Sequence, residues 1–278
     1  MKAQPLRKTE EEETNEALTG EVISWLKAGG ASLVGVASVD RFDGAPTGHH
    51  PRDFVPGARA VVTFGVALLR QALYWEGHLA DSEFVPAEHR KDVLQNYFYR
   101  QTGYAMVNDL LDMLALRLAN LLESRGYRSL FFPATYGTTA IWGFIKEKIP
   151  SKAGLFSQRH AAVRAGLGEF GLNNLVVTPE YGPRVRFNSV ITEASLTPSP
   201  LLEEKLCLGG RCSICLENCP GAISLRSVFD PEAVWYDTPV ETDTDACVRL
   251  SGEHYCLGRC LKVCPVAGQS GRSDSGEI

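Results

Sequence analysis

The eight cysteines of this chain all fall between Cys207 and Cys264, in two groups that each close on Cys-Pro. The first reads Cys207-LGGR-Cys212-SI-Cys215-LEN-Cys219-Pro220. The second reads Cys247, then Cys256-LGR-Cys260-LKV-Cys264-Pro265. Thiolates hold iron–sulfur clusters, and a close run of cysteines ending in Cys-Pro is the bacterial pattern for [4Fe–4S] sites, in which the last cysteine of each run ligates the other run's cluster. The spacing therefore predicts two [4Fe–4S] clusters. In the crossed assignment Cys207, Cys212, Cys215 and Cys264 hold one, and Cys219, Cys247, Cys256 and Cys260 hold the other.

Three rival chemistries fit less of the pattern. Zinc would need two tetrahedral sites, commonly built from paired C-x2-C knuckles; only one C-x2-C is present, and zinc gives no reason for either proline. A plant-type [2Fe–2S] site, C-x4-C-x2-C with a distant fourth cysteine, is satisfied by Cys207, Cys212, Cys215 and Cys247 but leaves Cys219, Cys256, Cys260 and Cys264 unexplained. Disulfides go with export, and the N-terminus has no apolar core to serve as an export signal. The runs also depart from the bacterial spacing. Four residues separate Cys207 from Cys212 and three separate Cys256 from Cys260, so those two ligands rest least on the pattern.

The elements that must position these thiols belong to an ordinary folded chain of 278 residues, 44% hydrophobic and 22% charged, with net charge −5. There is no Lys/Arg-rich run, so the composition speaks against a nucleic-acid partner. No apolar stretch approaches the roughly 18 residues of a membrane span. A reducing, cytoplasmic setting is expected, because the thiolates must stay reduced to hold a cluster.

Residues 1–14 read as a disordered, charged N-terminus, followed by a helix over Asn15–Ala28 and a Gly29-Gly30 stop. Strands are expected at Ser32-LVGVASV and Arg59-AVVTFGVAL, the second so continuously apolar that both faces should be buried. Residues 71–102 give no clear element. Val107, Leu110, Leu111, Leu114, Leu118, Leu121 and Leu122 mark a helix over about 105–125, read as core only. A strand at Ser129-LFFPA, a helix at Arg159-HAAVRA, and strands at Asn174-LVVT and Arg184-VRFNSVIT follow, the last two expected as a hairpin around Glu180-YGP. The order suggests an α+β architecture with a sheet of mixed direction. Leu196-TPSPLLEE is the natural boundary between a domain over 15–198 and a cysteine domain over 199–278.

Gly166-Leu-Gly168-Glu-Phe-Gly171 matches G-x-G-x-x-G, but a dinucleotide fingerprint needs a strand before it and a helix after it. Here a helix precedes and an extended segment follows, so the turn is read as a helix C-cap with a tight turn, or as bare backbone approaching a flat cofactor. His160, in the helix before it, reads as a packed or capping residue.

Ala165-GLGEFGLN, the early Pro56-GARAVVTFGVAL segment, and a lone Cys247 ahead of the second Cys-Pro run together resemble the epoxyqueuosine reductases and the corrinoid-dependent reductive dehalogenases. The likeness runs from about Glu21 to Pro265. It implies a nitroreductase-like mixed α/β N-terminal domain holding base-off cobalamin against a dicluster ferredoxin-like domain. An external donor such as a ferredoxin or flavodoxin would pass electrons through the clusters to cobalt, which would reduce a small-molecule substrate. Gly166, Gly168, Gly171 and Asn173 would contact the corrinoid. A non-enzymatic dicluster electron carrier, or a donor to another protein's corrinoid, is the alternative.

Two departures bear on the reaction. Epoxyqueuosine reductases usually continue into helical repeats, whereas this sequence stops about a dozen residues beyond Cys264. They also present an aspartate as proton donor before the glycine motif, and neither Ser129-LFFPATYG nor Pro150-SKAGLF contains an acid. Transfer-RNA reduction is therefore not expected, and Tyr136 or Lys152 is the candidate proton donor.

Overall fold

The computed structural model describes residues 9–74, 83–134, 154–226, 230–253 and 258–266. Tyr136, Lys152 and Cys256 lie outside these residues. The first helix, α1 (Glu10–Ala28), starts earlier than the apolar pattern suggests. Thr9 caps it in a reciprocal box: the Glu12 N–H donates to Thr9 Oγ1 at 3.3 Å and the Thr9 N–H donates to the Glu12 carboxylate at 2.8 Å. Glu10 to Glu13 then place negative charge at the positive end of the helix dipole. The glutamate run expected to be disordered from residue 9 to 14 is thus the start of the helix.

Four strands form the central sheet: β1 (Leu33–Ser38), β2 (Ala60–Ala67), β3 (Ser129–Phe131) and β6 (Val185–Thr192), in the order β1-β2-β6-β3. Every pairing is antiparallel, so the mixed direction expected from the sequence gives way to a uniform ladder. The chain as a whole is α+β. β2 is buried along nearly its whole length. Its alternate residues feed two cores, Ala60, Val62, Phe64 and Val66 on one face and Val61 on the other.

The first face is covered by α1 and by α5 (Met106–Ser124), whose Leu111, Leu114, Leu118 and Leu122 are buried. Gly126 at φ +88° ends that helix, as the stop signal predicts. The other face carries α6 (Gln158–Arg164) and shares its core with the cysteine segment, through Cys215, Trp235 and Val240. The functional site is built on this second face.

The expected hairpin between Asn174-LVVT and β6 does not form. Thr178 and Gly182 make one isolated bridge, but β5 (Val176–Val177) pairs with β4 (Glu169–Phe170). Both edges of β6 are already occupied, by β2 and by β3, so no edge is left for β5. The boundary segment is fastened to the free side of β1: the Ser199 N–H donates to Val36 O at 2.8 Å and the Val36 N–H to Ser199 Oγ at 3.0 Å.

Candidate cluster and cofactor site

α6 ends in a Schellman turn. The Gly166 N–H donates to Val163 O and the Leu167 N–H to Ala162 O, with Gly166 at φ +75°. A Cβ on Gly166 would sit 1.9 Å from Pro200 O, and one on Gly168 would sit 2.2 Å from Val177 O. Both glycines therefore let the turn lie directly on other backbone of the protein. Gly171 and Asn173, further along, face a pocket. A helix precedes the glycine turn and strands follow it, the opposite of a dinucleotide fingerprint.

That pocket is lined by Cys207, Cys212, Cys215 and Cys264, together with Gly171 and Asn173. Burial pushes the Cys215 thiol up to about 11 and the Cys264 thiol up to about 12, and the neighbouring cysteines add like-charge repulsion in both cases. A positively charged metal centre would favour the thiolate form that burial and neighbouring thiolates oppose at Cys215 and Cys264. Among the described residues no three His, Cys, Asp or Glu side chains are arranged to hold a single metal ion. Four cysteines round one pocket match in number the ligands of a [4Fe–4S] cluster. None of the seven described cysteines is in a disulfide.

The other four cysteines are less gathered. Cys219 Sγ accepts the Ala222 N–H at 3.3 Å. Cys247 is exposed on the helix Thr244–Glu253, and Cys260 is partly buried on the turn of helix Arg259–Lys262.

The residue that fastens the first cysteine loop is one the sequence reading passed over. Glu169 is completely buried. Its Oε1 accepts the N–H groups of Leu206 and Cys207, each at 2.6 Å, and its Oε2 accepts the Trp235 N–H at 2.9 Å. Lys205 Nζ lies 3.3 Å from the same Oε2 and 3.3 Å from the centroid of the Trp235 ring. In the sequence Glu169 occupies an interior position of the glycine motif. The signal for it was a single charge inside the otherwise apolar run Leu167 to Leu172.

Two asparagines complete the clamp. Asn173 Nδ2 donates to Cys260 O at 3.3 Å and its Oδ1 accepts the Leu175 N–H at 3.1 Å. Asn174, in the left-handed region at φ +57°, donates to Thr242 Oγ1 at 2.7 Å and accepts from Thr238 Oγ1 at 2.9 Å. The glycine turn is thereby tied to both cysteine groups. Between turn and thiols the pocket is only about 20 Å³, about one water's worth of space. A larger depression of about 680 Å³, between the start of α1 and Arg59, contains no cysteine.

His160 packs 4.8 Å from the Phe170 ring, with Nδ1 2.7 Å from Ser157 Oγ. Burial pushes its pKa down to about 4, which leaves a neutral ring at physiological pH. The helix α5, read as core alone, also carries polar groups inward. Asp112 Oδ1 accepts the Ala134 N–H at 2.7 Å and Asn188 Nδ2 at 2.8 Å, and burial raises its carboxyl above the usual range. Asn188 Oδ1 in turn accepts Gln158 Nε2 at 3.0 Å.

The α+β sheet thus carries on its second face a glycine turn clamped onto gathered thiols. The chain is similar in sequence to epoxyqueuosine reductases and to a reductive dehalogenase. No family model matches it. It is 22% identical over 220 residues to an epoxyqueuosine reductase of Bacillus cereus, covering 78% of this chain and 50% of that protein. Over 127 residues it is 29% identical to the tetrachloroethene reductive dehalogenase of Sulfurospirillum multivorans, covering 42% and 25%. Among solved structures, a catabolic reductive dehalogenase in complex with 3-bromo-4-hydroxybenzoic acid superposes with TM-score 0.52 at 18% identity, over 88% of this chain and 30% of that one. The chain thus spans half the length, or less, of these curated relatives. One epoxyqueuosine reductase structure (TM-score 0.46, 21% identity, 73% of this chain and 52% of that one) holds a tRNA stem loop. The expectation that nucleic acid is not a partner rests on composition alone, and net charge does not exclude one. Among the described residues no helix is long and apolar enough to cross a membrane.

Proposed function

We propose that this chain is a two-cluster iron–sulfur reductase module, with residues 199–278 holding two [4Fe–4S] clusters against the sheet domain of residues 15–198. The observation that supports this most is the gathering of Cys207, Cys212, Cys215 and Cys264 about one pocket. Cys219, Cys247, Cys256 and Cys260 would hold the second cluster. The clusters supply one-electron transfer. The chain's own residues fix the geometry: Glu169 and Asn173 tie the cysteine segment to the glycine turn, and Trp235 packs in the core that the sheet and that segment share.

In the fuller form of this reading, a base-off corrinoid accepts the electrons and reduces a small molecule, with a ferredoxin or flavodoxin as donor in a reducing cytoplasm. Support comes from likeness to a reductive dehalogenase described as B12-dependent (TM-score 0.52, 18% identity). Gly171 and Asn173 are the members of the glycine motif that face the thiols. Tyr136 and Lys152 remain the proposed proton donors. The alternative reading is an electron carrier, or a donor to another protein's corrinoid.

Anaerobic reconstitution with iron, sulfide and cobalamin separates these readings. Two clusters with stoichiometric corrinoid retention support the reductase. Two clusters without corrinoid leave the carrier. Zinc alone, or no iron, overturns both.

A further inference from the structure

We infer that the Glu169–Lys205 pair sets the reduction potential of the cluster held by the Cys207 group, the carboxylate drawing it down and the ammonium drawing it up. This rests on the reading of that pocket as a cluster site. Cluster potentials respond to net charge, to hydrogen bonds on the sulfurs and to solvent exposure. All three meet at this pair.

The carboxylate of Glu169 is completely buried and is one hydrogen bond away from the backbone of a ligand cysteine. With little water between them, charge and cluster are weakly screened. Adding an electron to the pocket is opposed by Glu169 and favoured by Lys205. Glu169 also draws two amide donors, those of Leu206 and Cys207, onto oxygen. Donors held there are not directed at sulfur, and this again favours the oxidised cluster. Lys205 is itself mostly buried, with its side chain 17% exposed, and is held over the Trp235 ring, so its charge has a fixed place. The competing reading is that both residues merely fasten the loop. Fastening predicts that removing either one loosens the site in the same way. Electrostatic control predicts opposite signs.

The test is a redox titration of the full chain, purified anaerobically and followed by the paramagnetic signal of the reduced clusters, for the natural protein, Glu169→Gln and Lys205→Met. Glutamine keeps an oxygen for the two amides while removing the charge. One of the two midpoints should rise in Glu169→Gln and fall in Lys205→Met, with the other cluster unmoved and the iron content preserved. Midpoints that do not move, or that move in the same direction in both variants, overturn the inference. If Glu169→Gln fails to keep its iron, Lys205→Met decides alone: a fall supports the inference, and no change or a rise overturns it. A natural protein without any cluster signal sinks the reading of the pocket, and the inference with it. Intact clusters that ignore both charges sink the inference alone.

Discussion

Cys264 and Cys207 enter the cysteine-rich segment from its two ends and line one pocket. This juxtaposition makes a crossed ligand set testable. Cys264→Ser should remove the cluster on Cys207, Cys212 and Cys215 and leave the other, lowering bound iron to about half. Adding Cys207→Ser to it should cost no further iron, whereas adding Cys260→Ser should remove nearly all. Iron and sulfide analysis of the anaerobically purified variants checks this. If Cys264→Ser and Cys260→Ser prove to deplete the same cluster, each run keeps its own last cysteine and the crossing is wrong.

His160 gives the chain an acid sensitivity with a definite sign. Its folded pKa, about 4, lies below the ordinary value of 6.5, chiefly because of burial, with Arg159 and Arg164 opposing the proton and Asp237 favouring it. Between those two values the unfolded chain binds the proton and the folded chain does not, so stability should fall as pH drops from 6.5 towards 4. Above 6.5 both states are neutral and this contribution vanishes. Melting temperatures across that window, for the natural protein and His160→Gln, should show a steeper acid decline in the former. Parallel curves would mean the ring titrates normally.

How far the sequence displays this architecture depends on whether local pattern or tertiary contact decides each piece. The helix α5 was legible from its period and strand β2 from its continuous apolar run: Leu111, Leu114, Leu118 and Leu122 are buried, as is nearly all of β2, although Leu110 is exposed. The start of α1 was not, because four glutamates read as a solvated tail unless the Thr9–Glu12 cap is weighed first. The pairing of β5 depends on which edges of β6 are free, which no local pattern records. The closing Cys-Pro of each run pointed to Cys264 as a partner of the first group. Glu169 was obscured because glycines define the motif around it, and its significance lies in donors that are remote in the chain, on Leu206, Cys207 and Trp235.

Asp112 should prove structural through its acceptor oxygen more than through its charge. Asp112→Ala leaves the Ala134 N–H and the Asn188 amide without that partner, which should cost about 1–3 kcal/mol. Asp112→Asn keeps an oxygen in place and removes a half-buried charge, so it should cost less. The raised carboxyl means the folded state takes up its proton first on acidification, so any penalty from the buried charge diminishes as pH falls. Urea unfolding at pH 7 with an unchanged m-value distinguishes the two variants. Equal losses would indicate that the charge itself is what the fold uses.

Gly166→Ala tests whether the glycine turn is required by the fold itself. At φ +75° an added Cβ costs about 1–2 kcal/mol from left-handed strain alone. The same Cβ would stand 1.9 Å from Pro200 O, so the segment that follows β6 would have to shift as well. That segment is held to β1 by paired hydrogen bonds between Ser199 and Val36, and by Arg41 donating to Ser199 O at 2.8 Å. Pushing Pro200 outward therefore strains the junction between the sheet and the cysteine segment. The expected result is a loss of stability clearly beyond the strain term, together with weaker iron retention, since Glu169 moves with the turn. Gly20→Ala, in the interior of α1 with nothing near its Cβ, is the control and should stabilise by roughly 0.4–1 kcal/mol. A Gly166→Ala protein that matched the natural one in melting temperature and iron content would show that the turn has slack, and that its glycines serve something other than the packing on Pro200.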